Sequence, residues 1–253
     1  MRERTRPVAA ALSFLTALPV GRRARLDGRD LRRGAVLFPL VGAVVGALVA
    51  TVTWAAAQVL PTFAAAILGV ASGVTATAAL HLDGLGDVAD GIGASLGGRD
   101  PREAMRDPRL GTFGVAAVAL DLLLKSSLLS ALVVTGFPWE VVAAGSISRV
   151  APIAIAWRLR YLGAGTGAWT DRIGGGTAAA ALVIGLAISI PCAELATPAM
   201  VLAVAVVAIV LGRWSRRRLG GATGDVFGAT IELGETFALV AALAVRCRRG
   251  SSA

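Results

Sequence analysis

The stretch TFAAAILGVASGVTATAALHLDGLGDVADG at residues 62–91 decides the fold class, because a long apolar run passes directly into a block of acids. The run at 62–82 matches the roughly 20 apolar residues that cross a bilayer as a helix. Asp83, Asp87 and Asp90 follow at spacings that place three carboxylates on one helical face. The stretch therefore predicts a membrane helix with a polar site at its boundary.

The composition extends this prediction to the whole chain. Of its 253 residues 56% are hydrophobic and only 16% are charged, against about 25% charged residues in soluble domains. Further apolar segments lie at 34–60, 112–135, 138–157, 175–193, 198–212 and 222–245. We therefore predict an all-α, polytopic membrane protein of about seven transmembrane helices, forming a single domain over 1–253. The shorter run Pro7–Val20 predicts an additional interfacial or re-entrant helix.

The positive charges predict the orientation. The net charge is +9, and the arginines cluster between apolar runs, where topology and anionic lipid account for them better than nucleic acid does. They lie in the N-terminal tail and in links near 21–33, 83–111, 158–174 and 213–221, whereas the short opposite links have none. This asymmetry predicts a multi-pass protein of the cell membrane with the acid block on the cytoplasmic side. Arg246, Arg248 and Arg249 break the pattern, so the side of the C-terminus stays open.

The acid block predicts a divalent metal site. Mg²⁺ takes one or two carboxylates together with water and phosphate oxygens, so Asp83, Asp87 and Asp90 are predicted ligands. The glycines between them leave room for a diphosphate. His81, the single histidine, is a candidate to donate a hydrogen bond to phosphate or to carry a proton, and a structural role is the alternative.

A second acidic block follows far along the chain, in LGGATGDVFGATIELGE at residues 219–235. Asp225 and Glu232 share a helical face and are predicted to complete the metal site or to hold a second ion. The glycine-rich turn at Thr223 and Gly224 is predicted to offer backbone N–H groups to a phosphate. If both blocks form one site, they must face one cavity.

Three arginines are candidate phosphate ligands, because guanidinium groups bind phosphate through two hydrogen bonds at once. Arg106 and Arg109 flank an acid in the link after the first block, and Arg149 lies within an apolar segment, where it either faces the acids or anchors a phosphate. Asp121 and Lys125, four residues apart in another segment, are predicted to neutralise one another.

Four motifs carry a resemblance to a known family. They are FPLVG at 38–42, HLDGxxDxxDG at 81–91, MRDxRxG at 105–111 and LGGxTGDxxGAxIELGE at 219–235. In this order and spacing the chain resembles the cobalamin synthases, the adenosylcobinamide-GDP ribazoletransferases. The resemblance implies a Mg²⁺-dependent enzyme of the cytoplasmic membrane. Its substrates would be adenosylcobinamide-GDP and α-ribazole or α-ribazole 5′-phosphate, and its products GMP and adenosylcobalamin or its 5′-phosphate.

With that reaction in view, Asp90 or Glu235 is the predicted acceptor of the attacking hydroxyl's proton. Arg106, Arg109 and Arg149 are predicted to hold the diphosphate or the departing GMP. Two alternatives remain. A CDP-alcohol phosphotransferase also uses spaced aspartates, but with a DGxxAR start that is absent here, and an ion-coupled transporter would use intramembrane charges as an ion pathway. Oligomeric state is left open.

Overall fold

A computed structural model describes residues 3–21, 26–163 and 173–250, and every regular element in these ranges is helical. Five of the arginines assigned to the tail and links lie outside the described residues: Arg2, Arg22, Arg23, Arg25 and Arg172. The α-helices are α1 (Arg6–Leu15), α2 (Gly28–Gly34), α3 (Phe38–Ala56), α4 (Thr62–Ala76), α5 (Leu80–Leu96), α6 (Pro101–Ala104), α7 (Thr112–Val133), α8 (Trp139–Ser148), α9 (Ala151–Arg158), α10 (Gly175–Ala193), α11 (Thr197–Arg218) and α12 (Gly224–Gly250).

The described helices confirm a multi-pass membrane protein, whereas the predicted count of seven spans is not confirmed. Five stretches are long and apolar enough to cross a membrane: Gly28–Ala56, Thr112–Val133, Trp139–Arg158, Gly175–Arg218 and Gly224–Arg249. The bent pair of α4 and α5 makes a sixth if it is one broken span. The 44 residues of Gly175–Arg218 would measure about 66 Å as a straight helix, twice a bilayer core. This stretch turns back at its middle, where the Thr197 hydroxyl donates to the Ser189 carbonyl.

Close helix packing through small residues holds α3 against α8. A Cβ atom at Gly42 would overlap the carbonyl oxygen of Gly145, and one at Gly46 would lie 2.6 Å from the carbonyl oxygen of Val141. The two helices are therefore antiparallel and in backbone contact. The spacing of Gly42 and Gly46 predicts such an interface, because lipid gives apolar side chains no reason to associate and close backbone approach supplies the attraction instead.

The span predicted at 62–82 is wrong at its C-terminal end, because the helix stops at Ala76 and resumes as α5 after a turn of 91°. Ala78 and Ala79 have φ values of 50° and 57°, a left-handed backbone that costs an alanine about 1–2 kcal/mol. The break leaves helix-end carbonyls without intrahelical partners. One of them, at Ala76, accepts the backbone N–H of Ala17 at 2.7 Å.

The N-terminal segment that reaches this break contains the short helix predicted over Pro7–Val20. In the structure the helix is α1, and Ala10, Ala11 and Leu15 on it are buried in the core. Beyond its end, the chain continues to the hydrogen bond with Ala76. The segment is thus built into the bundle and supports the break between α4 and α5.

The Arg-rich links meet at one end of the bundle, and the described C-terminal helix ends at the other. Arg102 donates to the Leu219 carbonyl, and Ala222 donates to the Arg160 carbonyl, so the links after α5, α9 and α11 adjoin. From there the 27 residues of α12 extend about 40 Å. Near its end Arg246 forms an ion pair of 3.2 Å with Glu140 at the start of α8. The C-terminal arginines therefore lie at the end opposite the links.

Candidate active site

The acid-bearing helices α5 and α12 pack backbone to backbone. A Cβ atom at Gly84 would lie 2.7 Å from the carbonyl oxygen of Asp225 and 3.0 Å from its Cα atom. A Cβ atom at Gly228 would lie 3.2 Å from the Cα atom of His81. Glycine is required at these positions because any side chain would push the helices apart. The contact brings the start of the second acidic block against the first.

Three carboxylates gather at this contact, and we call Asp83, Asp87 and Asp225 the acid cluster. Asp87 is half-buried and lies within electrostatic reach of the other two and of Asp90. Asp225 also interacts with Asp83 and accepts a hydrogen bond of 3.2 Å from the Thr223 hydroxyl. Asp83 and Asp87 make no hydrogen bond or ion pair with any residue that the structure describes. Unpaired carboxylates held together repel one another, so the arrangement favours binding of a cation.

Asp90 has a partner that local sequence reading could not find. Its two carboxylate oxygens accept the backbone N–H groups of Gly111 at 2.7 Å and Gly114 at 2.8 Å. The side chain thus caps the N-terminus of α7 from a distance of 21 residues in the chain. An anion is stabilised there by the unpaired N–H groups and the helix dipole. The predicted roles as metal ligand and general base compete with this cap.

Of the acids in the second block, the structure brings Asp225 to the acid cluster, whereas Glu232 and Glu235 lie deeper in the bundle and pair with basic residues. Glu232 forms an ion pair with Lys125, which also binds Asp121 at 3.2 Å, as the predicted pair requires. Glu235 forms an ion pair with Arg149. We call these five residues the inner network. Glu232 shares a face with Asp225 but lies about 10 Å further along the helix, where it meets α7 instead of α5.

His81 lies between the acid cluster and the inner network. It is buried at the start of α5, and its Nε2 atom has no hydrogen-bond partner among the described residues. It lines a cavity of about 30 Å³ together with Lys125, Arg149, Glu232 and Glu235. This is enough space for a water molecule with polar partners on several sides. The predicted contact of His81 with a phosphate remains a prediction, whereas its proximity to Arg149 and Glu235 is a finding.

The link predicted to bind phosphate folds over the outer side of α5. Arg106 is exposed, and Arg109 donates two side-chain hydrogen bonds of 3.0 Å to Asp107. The same guanidinium lowers the pKa of Asp107 to about 2, so this exposed pair is ionised at neutral pH. Met105 lies against Gly91, which holds the link on α5. Arg149, by contrast, is buried and directed at Glu235, the first of the two roles predicted for it.

The N-terminus of α12 adjoins the acid cluster as the glycine-rich turn predicts. The Thr223 hydroxyl caps the helix by accepting the Val226 N–H at 3.3 Å, and Gly224 is exposed beside it. Tyr161, which the sequence reading missed, stacks on Phe227 with ring centroids 5.9 Å apart. Burial and the Asp225 carboxylate raise the pKa of its phenol, which stays protonated and can donate a hydrogen bond. Its position in an arginine-rich link, as the single tyrosine, was the available signal.

The chain is similar to known proteins over nearly its whole length. The family model described as cobalamin-5-phosphate synthase matches residues 7–243. The chain belongs to this family. Among its relatives in the cobalamin-5-phosphate synthase family, a protein named adenosylcobinamide-GDP ribazoletransferase from Escherichia coli O45:K1 is 38% identical, covering 92% of this chain and 98% of its own length. One of the same name from Azorhizobium caulinodans is 36% identical, with 93% and 94% covered. No solved structure matches the chain.

Membership in the cobalamin-5-phosphate synthase family makes the chain an enzyme, a transferase of the final step of cobalamin nucleotide-loop assembly. The motifs that carry the resemblance are the same residues that the structure gathers. The HLDGxxDxxDG motif supplies two members of the acid cluster, and the last motif supplies the third. The MRDxRxG motif forms the link over α5 and provides Gly111 for the Asp90 cap.

The acid cluster fits Mg²⁺ in its donor chemistry. Its ligands are all carboxylate oxygens, which Mg²⁺ prefers, and no amine or guanidinium neutralises Asp83 or Asp87 within the described part of the chain. No three Asp, Glu, His or Cys side chains among the described residues are placed to hold a metal ion by themselves. Mg²⁺ usually completes its shell with water and substrate phosphate, so two carboxylates from the protein suffice.

Lys125→Met is expected to lower the free energy of unfolding by about 3–5 kcal/mol, because Glu232 and Asp121 would be left buried without a positive partner. The thermal melting temperature in detergent measures the effect. The double variant Lys125→Met/Glu232→Gln should recover part of the loss, since it removes one of the two orphaned charges. A single variant that melts like the wild type would contradict the buried ion pair.

Asp90→Asn is expected to retain measurable transferase activity, because its amide oxygen still accepts one N–H of α7. Asp90→Ala removes the cap and should lower stability by about 1–2 kcal/mol, with activity falling in parallel. Melting temperatures and initial rates of both variants check this. Complete loss of activity in Asp90→Asn at an unchanged melting temperature would instead support the predicted role of Asp90 as metal ligand or general base.

Proposed function

We propose that this chain transfers the adenosylcobinamide-phosphate group of adenosylcobinamide-GDP to the ribose 3′-hydroxyl of α-ribazole or its 5′-phosphate. The hydroxyl oxygen bonds to the phosphorus on the cobinamide side. The bond from that phosphorus to the bridging oxygen breaks, and GMP leaves with that oxygen. The hydroxyl proton passes to a carboxylate. The substrate is the one that the names of the relatives print, and their similarity extends over nearly the whole chain.

One observation carries the proposal, which is the contact of Gly84 with Asp225. It joins residues 84 and 225, which are 141 positions apart in the chain, and so brings carboxylates of both acidic blocks into one cluster. A transferred diphosphate needs its negative charge neutralised and its attacking and leaving oxygens held in line. A purely structural cluster would contain its own counter-charge, as the inner network does. The acid cluster has none among the described residues.

Asp83, Asp87 and Asp225 are the carboxylates from which Mg²⁺ would take its one or two protein ligands, with water and substrate phosphate completing its shell. Bound there, the metal would supply neutralisation of the diphosphate charge and polarisation of its oxygens. Asp87, half-buried at the centre of the cluster, is well placed to accept the hydroxyl proton. Glu235 is paired with Arg149, and Asp90 caps α7, so neither is the first candidate for the proton acceptor.

The neighbouring groups orient the substrates. Arg106 is exposed in the link over α5 and is available for a phosphate of the GMP moiety, while Arg109 would have to leave Asp107 to join it. Thr223 fixes the start of α12 and the rotamer of Asp225 through one hydroxyl. Because the arginine-rich links surround this end of the bundle, we assign it to the cytoplasmic face of the cell membrane.

Release of GMP tests the proposal. The protein in lipid nanodiscs is incubated with adenosylcobinamide-GDP, α-ribazole and MgCl₂, with α-ribazole 5′-phosphate in a parallel reaction. We expect GMP and a new corrinoid in equal amounts, loss of both with EDTA, and recovery with excess Mg²⁺. Turnover of CDP-diacylglycerol with an alcohol acceptor, or substrate-driven ion flux without GMP, would overturn it. Unchanged rates after chelation would overturn the metal assignment alone.

A further inference from the structure

A groove of about 440 Å³ opens between α9 and α11, away from the acid cluster. Its floor is apolar and includes Ile155 and Ile209, and its rim carries Trp157, Arg158, Arg213 and Arg216. On α11, Trp214 points the other way, toward Gly91 of α5, so the groove and the acid cluster lie on different faces of one helix end. None of the residues assigned to the transfer reaction lines this groove.

The rim of the groove is positively charged. Among the residues that the structure describes, no Asp or Glu lines it, and Arg213 and Arg216 form no ion pair with any of them. Their spacing of three places both guanidinium groups on the same face of α11. Arg158 lies over the Trp157 ring with its guanidinium carbon 4.3 Å from the ring centroid. A bound anion would therefore meet up to three unpaired guanidinium groups.

The walls of the groove belong to helices that cross the membrane. α9 ends the span Trp139–Arg158, and α11 ends the stretch Gly175–Arg218. Ile209 and Trp157 are exposed, so on a membrane protein they face lipid. Tryptophan and arginine are typical of the level of the lipid headgroups, where one end of a site is apolar and the other is wet.

We propose that the groove binds an anionic phospholipid. The headgroup phosphate lies among Arg158, Arg213 and Arg216, and an acyl chain follows the apolar floor past Ile209. Basic pockets between transmembrane helices at the cytoplasmic face recognise such headgroups. A soluble phosphate would satisfy the rim but leave the floor exposed, and a zwitterionic lipid would fill the floor but add no net charge for the arginines.

A lipid in this groove would stabilise the active site from outside. Arg160 and Leu162, which directly follow α9, form two backbone hydrogen bonds with Ala222. Ala222 donates to the Arg160 carbonyl and Leu162 donates to the Ala222 carbonyl, both at 2.8 Å. Ala222 lies three residues before Asp225, and α11 leads into the same turn. A ligand that joins α9 to α11 therefore restrains the segment that positions Asp225 against Gly84.

The test uses delipidated protein in detergent, titrated with phosphatidylglycerol or phosphatidylcholine, with thermal melting and native mass spectrometry as readouts. Arg213→Gln/Arg216→Gln removes two rim charges, and Arg217→Gln/Arg218→Gln removes two from the same helix outside the groove. We expect phosphatidylglycerol to raise the melting temperature of the wild type and of the second variant, with about tenfold weaker binding to the first. Arg213→Lys/Arg216→Lys should restore most of the binding.

Three results would overturn the lipid site. The first is an equal rise in melting temperature with phosphatidylcholine, which would show that the rim arginines do not select an anionic headgroup. The second is an equal loss of binding in both glutamine variants, which would indicate a general charge effect. The third is displacement of phosphatidylglycerol by inorganic diphosphate or GDP, which would assign the groove to a soluble ligand. Since none of these readouts involves GMP release, failure here leaves the proposed transferase reaction untouched.

Discussion

Asp87→Asn is expected to lower the rate of GMP release by at least about 100-fold, the lower end of the cost of removing one group that stabilises charge in a transition state. Asparagine has almost the same shape, so the half-buried site keeps its packing. What disappears is the carboxylate that lies within electrostatic reach of Asp83 and Asp225. The melting temperature should stay the same or rise, because removing one of several clustered negative charges relieves repulsion in the metal-free protein.

The matched control is Glu194→Gln, which removes a carboxylate from the turn between α10 and α11. It is exposed, and the turn lies beside the end of α12 that carries Arg246, far from the acid cluster. Its initial rate should equal that of the wild type. Asp83→Asn and Asp225→Asn should resemble Asp87→Asn. If Asp87→Asn turned over within about threefold of the control, the acid cluster would not be the catalytic centre.

Metal dependence separates the two ways in which Asp87 could act. If it binds Mg²⁺, high MgCl₂ should recover part of the activity of Asp87→Asn, because the remaining carboxylates still attract the ion. If it accepts the proton only, MgCl₂ should have no effect, and a rise in pH should recover activity through the larger fraction of ionised hydroxyl. Rates measured across both titrations distinguish these cases.

Local patterns in the sequence were sufficient for the features that depend on a single helix. Hydropathy predicts the apolar segments, and the spacing of Gly42 and Gly46 predicts close packing, which the contact with Gly145 confirms. The spacing of Asp83 and Asp87 places them on one face of α5. In each case the physical cause is a continuous apolar run or a spacing of a few residues within one helix, so a window along the chain contains it.

Features that depend on a partner helix could not be read in this way. Asp90 and Glu235 are as acidic as Asp87 in sequence, but one caps α7 and the other meets Arg149. Which acid remains unpaired depends on its position along the bundle. Residues on one face of a straight helix lie at different positions along the bundle and therefore meet different partner helices. The break at Ala78 has no local signal either, since alanine favours a continuous helix.

Gly84→Ala is expected to reduce both stability and activity, although alanine is the better helix former by about 1 kcal/mol. The new Cβ atom would lie 2.7 Å from the carbonyl oxygen of Asp225, and a backbone atom cannot rotate away. Overpacking of this kind costs about 1–3 kcal/mol, so the unfavourable term is the larger. The helices α5 and α12 must separate by several tenths of an ångström, and the acid cluster separates with them.

Gly176→Ala is the control, because it makes the same chemical change near the start of α10, where no described residue beyond its own helical turn has an atom within 4 Å of the new methyl group. It should keep wild-type activity and melt at the same or a slightly higher temperature. The two variants together isolate close approach from helix propensity. A Gly84→Ala protein that is stabilised and fully active would show that α5 and α12 are not in backbone contact at this point.

The Mg²⁺ dependence of Gly84→Ala then tests whether the contact serves chemistry as well as packing. Asp225 is attached to one helix and Asp83 and Asp87 to the other, so their separation is set by the distance between the backbones. A wider gap should raise the MgCl₂ concentration needed for half-maximal GMP release, on top of any loss of folded protein. Lys125→Met, which disturbs the inner network, should lower the amount of folded enzyme without that shift. A glycine that only packed two helices would behave like the lysine, and a glycine that brings two halves of a metal site together would not.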